Sequence, residues 1–90
     1  MSEQHKPEDL IEFPCDYQFK AVGISGDVFR DAVVAVISQW SSVSSDAVRC
    51  RPSGKGKYQA VSVMVMLHNF DQLKNIYAGL KQIHGLKILL

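Results

Sequence analysis

The apolar residues of this chain follow two repeats, a period of two in some segments and a period of about 3.6 in others. In the first strand-like segment, about residues 16–22, the apolar side chains of Tyr17, Phe19 and Ala21 alternate with polar ones. An alternation of this kind predicts a β-strand with one buried face. The residues that follow, 23–26, contain two glycines and are expected to end the strand.

Two further segments have the helical repeat. The first covers about residues 27–40, with Ser25 as its expected N-cap and an apolar stripe spaced four, three and four residues apart. That stripe consists of Phe29, Val33, Val36 and Trp40. The second helix is expected to begin after Asn69 as N-cap, with Gln72 as its partner in a capping box. A glycine inside this helix, Gly79, indicates that another element packs closely against it.

Three more segments are strand-like, at about residues 47–51, 57–68 and 86–90. The turn 52–56 joins the first two of them. The second half of the 57–68 segment is apolar on both faces, which is typical of a strand at the centre of a sheet. We therefore expect this segment to be a central strand.

The order of elements predicts an α+β fold, the ferredoxin-like βαββαβ sandwich. Right-handed crossovers give a four-stranded antiparallel sheet in the order 4-1-3-2, with two helices on one face. The other face would be open, and such a face usually binds a partner or dimerises. The alternation places Tyr58, Met64 and Met66 on one face, but it leaves undecided whether that face is the open one. We expect residues 1–12 to form a flexible N-terminal leader and residues 13–90 to form the domain.

Length and composition fit one small domain. The chain has 90 residues, of which 47% are hydrophobic and 21% are charged, and its net charge is only +1. Because this charge gives no global attraction to nucleic acid or to a membrane, any electrostatic function must be local. No apolar run reaches the roughly 18 residues of a membrane span, and the polar N-terminus has no signal-peptide pattern. Together with the presence of only two cysteines, these features lead us to expect a cytoplasmic protein.

Four stretches of the sequence are informative together: EFPCDYQFKAVG near the start, RPSGKGKYQAVSV in the middle, the LKNIYAGLKQI helix and the terminal LKILL. They resemble the YbeD-like family of small bacterial proteins. The resemblance extends from Leu10 to Leu90, and its most specific part is the stretch 52–58. The fold of this family is similar to that of ACT-type regulatory domains, which sense amino acids as parts of metabolic enzymes. The resemblance thus implies a dimeric regulatory or partner-binding module.

A cationic turn is the most distinctive local feature of the sequence. Arg49, Arg51, Lys55 and Lys57 place four cations within nine residues, and the glycines between them would free backbone N–H groups for an anion. The candidate binding residues of this turn are Arg51, Ser53, Gly54, Lys55, Gly56, Lys57 and Tyr58. Alternatively, the turn is a solvated hairpin whose glycines satisfy the turn geometry and whose lysines protect an edge strand.

The loop before the first helix leads into Phe29-Arg30. In this it loosely resembles the phosphate loop of acylphosphatases, which ends in Phe-Arg. This resemblance implies that Arg30 would hold a phosphate. However, the loop is one residue short, Asp27 places a negative charge where the phosphate would lie, and no asparagine near the second strand would position water. An acylphosphatase-like hydrolase is therefore only a remote alternative.

RNA recognition is a further alternative, because the RNA-recognition fold has the same topology and stacks bases on aromatic side chains of its third and first strands. Here the third strand offers only Tyr58, and Tyr17 and Phe19 would serve only if they faced away from the helices. We therefore expect no nucleic-acid partner.

No set of residues in the sequence forms a credible catalytic or metal site. The three histidines are scattered over a tail, a strand end and a helix end, and a Cys50–His68 pair would lack an orienting third group. We therefore expect no enzymatic activity and no cofactor.

The sequence as a whole favours a non-enzymatic regulatory or interaction module. It would dock on a metabolic enzyme or another protein partner through the open sheet face or the 51–58 turn, or associate with itself as a homodimer. We expect no membrane contact. The alternative is a sensor domain that binds a small anionic or amino-acid-like molecule at a dimer interface.

Overall fold

The computed structural model of the chain describes residues 12–90. Its elements, in chain order, are β1 (Cys15–Ile24), α1 (Asp27–Ser38), β2 (Val48–Ser53), β3 (Tyr58–Leu67), α2 (Phe70–Leu80) and β4 (Leu86–Leu89). A short 3-10 turn, Ser45–Ala47, precedes β2. The predicted leader lies outside the described residues except for Glu12.

The four strands form one antiparallel sheet in the order β2-β3-β1-β4. The central pair, β1 and β3, is in register over ten residues of each strand, from Cys15 opposite Leu67 to Ile24 opposite Tyr58. The predicted ferredoxin-like fold and its strand order are therefore confirmed.

The hydrophobic core lies between the sheet and the two helices. The two central strands contribute alternate side chains and the two helices contribute side chains three to four residues apart, as their periods require. The edge strands add only the partly buried Val48, Leu86 and Leu89. The buried strand residues are Phe19, Ala21, Val61, Val63, Val65 and Leu67. The buried helix residues are Phe29, Val33, Ile37, Leu73, Ile76 and Leu80. The face of β3 that carries the valines is thus the covered one, and the methionine face is the open one.

Two details of the first helix differ from the predictions. The N-cap is Gly26 and not Ser25, because the Ser25 hydroxyl donates a hydrogen bond to the carbonyl of Gly56 instead. The helix also ends at Ser38, so Trp40 falls beyond it and is 41% exposed, while Ile37 is fully buried.

The predicted cap of the second helix is confirmed. The side chain of Asn69 accepts a hydrogen bond of 2.9 Å from the backbone N–H of Gln72. The side chain of Gln72 accepts one from the N–H of His68, not of Asn69, and it donates another to the carbonyl of Trp40. Gln72 therefore connects the start of α2 to the segment that follows α1.

The helices touch most closely at Gly79. A Cβ atom added at this glycine would lie 2.6 Å from Cγ1 of Val36 on α1, which is closer than real Cβ atoms approach. The inference that an element packs closely against Gly79 is thus confirmed. None of the helices within residues 12–90 is long and apolar enough to cross a membrane.

Candidate functional site

The predicted cationic turn is a tight hairpin with an unusual backbone. Gly54, Lys55 and Gly56 have φ angles of 58°, 59° and 84°, so three successive residues adopt the left-handed conformation. The N–H of Gly56 donates to the carbonyl of Ser53 at 3.1 Å, and the N–H of Lys57 donates to the carbonyl of Gly54 at 3.2 Å. Because these two N–H groups are used inside the turn, the expectation that the glycines free them for an anion is not met at these positions.

The turn is fastened to the loop between β1 and α1. The N–H of Ser25 donates to the carbonyl of Lys57 at 3.2 Å, in addition to its side-chain bond with Gly56. The side-chain amide of Gln59 donates to the carbonyls of Ile24 and Gly26, at 3.0 and 2.6 Å. These contacts hold two loops at one end of the sheet in a fixed relation.

Only part of the predicted site is brought together. Arg51 and Tyr58 line a depression of about 230 Å³ beside the fastened loop. The ring of Tyr58 also lies beneath Lys87, whose Nζ is 4.9 Å from the ring centroid, a cation–π contact. Lys55 and Lys57 are exposed at the tip of the hairpin and do not line this depression.

The sheet face that the helices leave uncovered, hereafter the open face, carries a mixture of apolar and cationic side chains. Its apolar members include Ile24, Met64, Met66 and Ile88, each between 43% and 46% exposed. The strand register places on the same face Gln18, Lys20, Val22, Arg49, Arg51, Tyr58, Ala60 and Ser62. A patch that combines exposed apolar and charged side chains is typical of an interaction surface.

A groove with three cations runs along the middle of the open face. Its floor consists of the small residues Ala60 and Ser62 on β3, and its volume is about 550 Å³. Arg49 and Arg51 line it from β2, and Lys20 lines it from β1 together with Gln18. Cys50, between the two arginines on β2, completes the lining. We call these seven residues the cationic groove.

The register fixes the spacing of the charges in the cationic groove. Ser62 pairs with Arg49 on one side and with Lys20 on the other. At about 4.8 Å per strand, the Cα atoms of those two cations lie about 10 Å apart across the sheet. The serine hydroxyl between them makes the floor polar at this row.

No carboxylate neutralises the cationic groove within the described residues. The residues that line it include no acid, and the ion pairs found among residues 12–90 all belong to Arg30. The neighbouring acids are Asp46, which shares an adjoining depression with Arg49, and Asp16, which pairs with Met66 at the end of the sheet. Neither forms an ion pair with a groove cation.

Arg30, the residue on which a phosphate site would depend, is engaged elsewhere. Its guanidinium lies 3.0 Å from a carboxylate oxygen of Asp31 and 3.4 Å from one of Asp27. The hydrogen bond to Asp31, followed by the charge of Asp27, raises the pKa of Arg30. Two carboxylates at this guanidinium disfavour a phosphate there.

The aromatic residues of β1 lie on the wrong face for base stacking. Phe19 is buried, and the hydroxyl of Tyr17 is hydrogen-bonded to that of Tyr77 on α2 at 2.8 Å. Desolvation, followed by this hydrogen bond, raises the pKa of Tyr77 above its ordinary value. The first-strand aromatics on which an RNA-binding face would depend are therefore part of the covered side.

The remaining candidates for chemistry lie apart. Cys50 on β2 pairs with Val61 on β3. Val61 is seven residues before His68, so Cys50 and His68 are separated by roughly 23 Å along the strand direction. Among residues 12–90, no three His, Cys, Asp or Glu side chains come together as metal ligands.

Sequence reasoning missed Gln18, Lys20, Ala60 and Ser62 as members of a site. The alternation did indicate that Lys20 points away from Phe19, and that Arg49 and Arg51 point away from Val48. These residues come together in one groove because β2, β3 and β1 pair side by side. A local sequence pattern does not specify which strands pair.

The chain matches the model of the family described as "Protein of unknown function (DUF493)" over residues 8–90. Two relatives are UPF0250 proteins. The one from Haemophilus ducreyi is 37% identical over 87 residues, covering 97% of this chain and 89% of the relative. The one from Neisseria gonorrhoeae is 34% identical over an alignment of 91 residues that covers the whole of both proteins.

Two solved structures are similar in fold. The ACT domain from the GTP pyrophosphokinase of Chlorobium tepidum has a TM-score of 0.67 and 15% identity, over 86% of this chain and 96% of that domain. Protein HP0495 from H. pylori has a TM-score of 0.69 and 15% identity, over 98% of both chains. The two structures confirm the ACT-like fold. The family match and the two relatives confirm the resemblance to small bacterial proteins seen in the sequence. The chain therefore belongs to the DUF493 family of bacterial proteins, which includes the UPF0250 proteins, and has an ACT-like fold.

Proposed function

We propose that this protein is a non-enzymatic regulatory or interaction module that binds a protein partner through its open face. The observation that carries the proposal is the composition of that face, where exposed methionine and isoleucine side chains adjoin three cations. A face that served only stability would be covered or uniformly polar, because exposed apolar surface has a cost in solubility.

The ACT-like fold supports a regulatory role. One structural neighbour is the ACT domain of an enzyme, a GTP pyrophosphokinase. By analogy, a metabolic enzyme is the class of partner that we favour.

The hairpin turn extends the proposed contact surface. Arg51 lies both in the cationic groove and in the depression beside Tyr58. A partner seated on the open face would therefore reach the 51–58 turn, with Lys55 and Lys57 at its margin.

The geometry of the candidate catalytic residues favours a role without catalysis. Arg30 is paired with two carboxylates, and Cys50 lies far from His68. Neither arrangement provides a nucleophile next to a base.

Site-specific photo-cross-linking in the bacterium that encodes this protein tests the proposal. A cross-linking amino acid that replaces Met64 would lie on the open face. One that replaces Asn75 would lie on the exposed side of α2 and serves as the control. We expect one defined protein to be cross-linked from position 64 and not from position 75. Equal capture from both positions, or none from position 64, would contradict the proposal.

A small-molecule sensor is a second candidate function. It is favoured by the depression that Arg51 and Tyr58 share with Ser25 and Gly26, next to the start of α1. Thermal unfolding in the presence of amino acids and phosphorylated metabolites tests it, since a ligand at 100 times its Kd adds about 2.7 kcal/mol. A sensor of this kind would also be a dimer, so a strictly monomeric protein that no compound stabilises would exclude it.

A further inference from the structure

We infer that the cationic groove binds an extended acidic segment of the protein partner, with carboxylate side chains at alternate positions. This inference rests on the proposed function, because it names the chemistry of the partner at the same face. It is carried by the arrangement of Lys20, Arg49 and Arg51 around a floor of two small residues.

The spacing of the arginines matches that of an extended chain. Arg49 and Arg51 are two residues apart on β2, so they lie about 7 Å apart along the strand. In an extended peptide, side chains on one face recur at the same distance. A Glu-x-Glu sequence that runs along the groove would therefore present one carboxylate to each arginine, and the planar guanidinium accommodates a carboxylate in a bidentate manner.

The floor of the groove leaves space for such a segment. Ala60 and Ser62 are small, whereas the residues that follow and precede them on the same face of β3 are Met64 and Tyr58. The serine hydroxyl offers a hydrogen bond to a carboxylate held between Arg49 and Lys20. The exposed apolar side chains at both ends of the face favour apolar residues beside the acidic ones.

A second copy of this chain is a poorer occupant. A two-fold dimer centred on the groove would place the same patch against itself, and thus cations against cations. Juxtaposed like charges are unfavourable in an interface.

Single-stranded RNA is also a poorer occupant. Its binding to a sheet face depends on aromatic side chains on which bases stack. On this open face the candidate is Tyr58, which is already covered by Lys87, while Tyr17 and Phe19 belong to the other side.

Fluorescence anisotropy with labelled synthetic peptides tests the inference. The probe is an extended peptide of alternating Glu and Val, and its matched control has Gln in place of every Glu. We expect the Glu peptide to bind at least about ten times more tightly than the Gln peptide, and to lose affinity as salt rises from about 0.05 to 0.5 M. Each of the variants Lys20→Gln, Arg49→Gln and Arg51→Gln should weaken binding roughly two- to fivefold.

The control variant is Lys81→Gln, which removes an exposed cation from beyond the end of α2 without touching the groove. It should leave binding unchanged. A Glu peptide that binds no better than the Gln peptide would overturn the inference, as would an equal loss in Lys81→Gln. If a single-stranded RNA probe bound more tightly than the Glu peptide and its binding depended on the same three cations, the groove would be assigned to nucleic acid instead.

Cross-linking from position 64 separates this inference from the proposed function. If the cross-linked protein is lost in Arg49→Gln/Arg51→Gln and retained in Lys81→Gln, both are supported. If the cross-link is equally strong in all three proteins, the open face binds a partner, but the inference that the groove binds an acidic segment of it is wrong. If position 64 captures nothing, the proposed function itself fails.

Discussion

The two faces of strand β3 differ although their residues are neighbours in sequence. Val63, Val65 and Leu67 are at most 3% exposed and pack under the helices, whereas Met64 and Met66 between them are 43% exposed. Both sets are apolar, so hydrophobicity alone does not distinguish them. The covered face holds the fold together, and the open face is the one that we propose to bind a partner.

The largest effect is expected from a matched pair of truncations on this strand. Leu67→Ala should lower the free energy of unfolding by about 2–5 kcal/mol, because it creates a cavity in the core. Met66→Ala should lower it by less than about 1 kcal/mol, since its side chain is already partly in water. Urea denaturation of the two variants provides the measurement. Similar losses in both would mean that the open face is also part of the core.

A smaller effect is expected from the contact between the helices. Gly79→Ala improves helix propensity by about 1 kcal/mol, but the added methyl group collides with Val36, and overpacking costs about 1–3 kcal/mol. We expect a net loss of about 1 kcal/mol in urea denaturation.

The second variant, Val36→Ala/Gly79→Ala, serves as the control for this collision. Compared with Val36→Ala alone, the added Gly79→Ala should cost less than it does in the parent protein, because the methyl groups that the new Cβ meets are gone. A Gly79→Ala variant more stable than the parent protein would show that the helices do not pack closely at this point.

The pair of tyrosines on the covered side predicts a dependence on pH. Because the folded-state pKa of Tyr77 is raised, its contribution to stability is complete below the ordinary tyrosine pKa of about 10 and is lost as the pH rises above it. Tyr77→Phe should remove this part of the alkaline decline. Urea midpoints between about pH 8 and pH 11 measure it. An identical decline in both proteins would mean that Tyr77 ionises as freely as an unfolded tyrosine.

The cations of the open face should contribute little to stability. Lys20→Gln, Arg49→Gln and Arg51→Gln are expected to change the free energy of unfolding by no more than about 0.5 kcal/mol, as is usual for surface positions. At low salt each variant should raise the free energy of unfolding slightly, because it relieves repulsion between like charges. A clear destabilisation in urea denaturation would indicate that these residues support the fold rather than a partner.

Much of the fold could be predicted because it depends on local periodicity. Alternation defined β1 and β3, the helical repeat defined both helices, and their order defined the sheet. The N-cap of α2 was predictable because Asn69 and Gln72 interact within one turn. The N-cap of α1 was not, since the hydroxyl of Ser25 bonds to Gly56 in a distant turn.

The candidate site could be predicted only in part, for the same reason. Arg51 and Tyr58 lie in one continuous stretch, and the structure does bring them together. Lys20 is distant from them in sequence and reaches Ser62 only through the register of β1 and β3. The choice of open face also required the helices, since both faces of β3 are apolar along half its length.

A single variant, Ser62→Glu, tests most directly the claim that one face of the sheet holds the fold and the other binds. The new carboxylate would lie between Arg49 and Lys20, where the partner's carboxylate is proposed to bind. We predict that urea denaturation shows a gain of about 0.2–1 kcal/mol from the new cross-strand ion pairs. We also predict that cross-linking from position 64 is lost in the same variant. A variant that keeps its cross-linked partner at full strength would contradict the account.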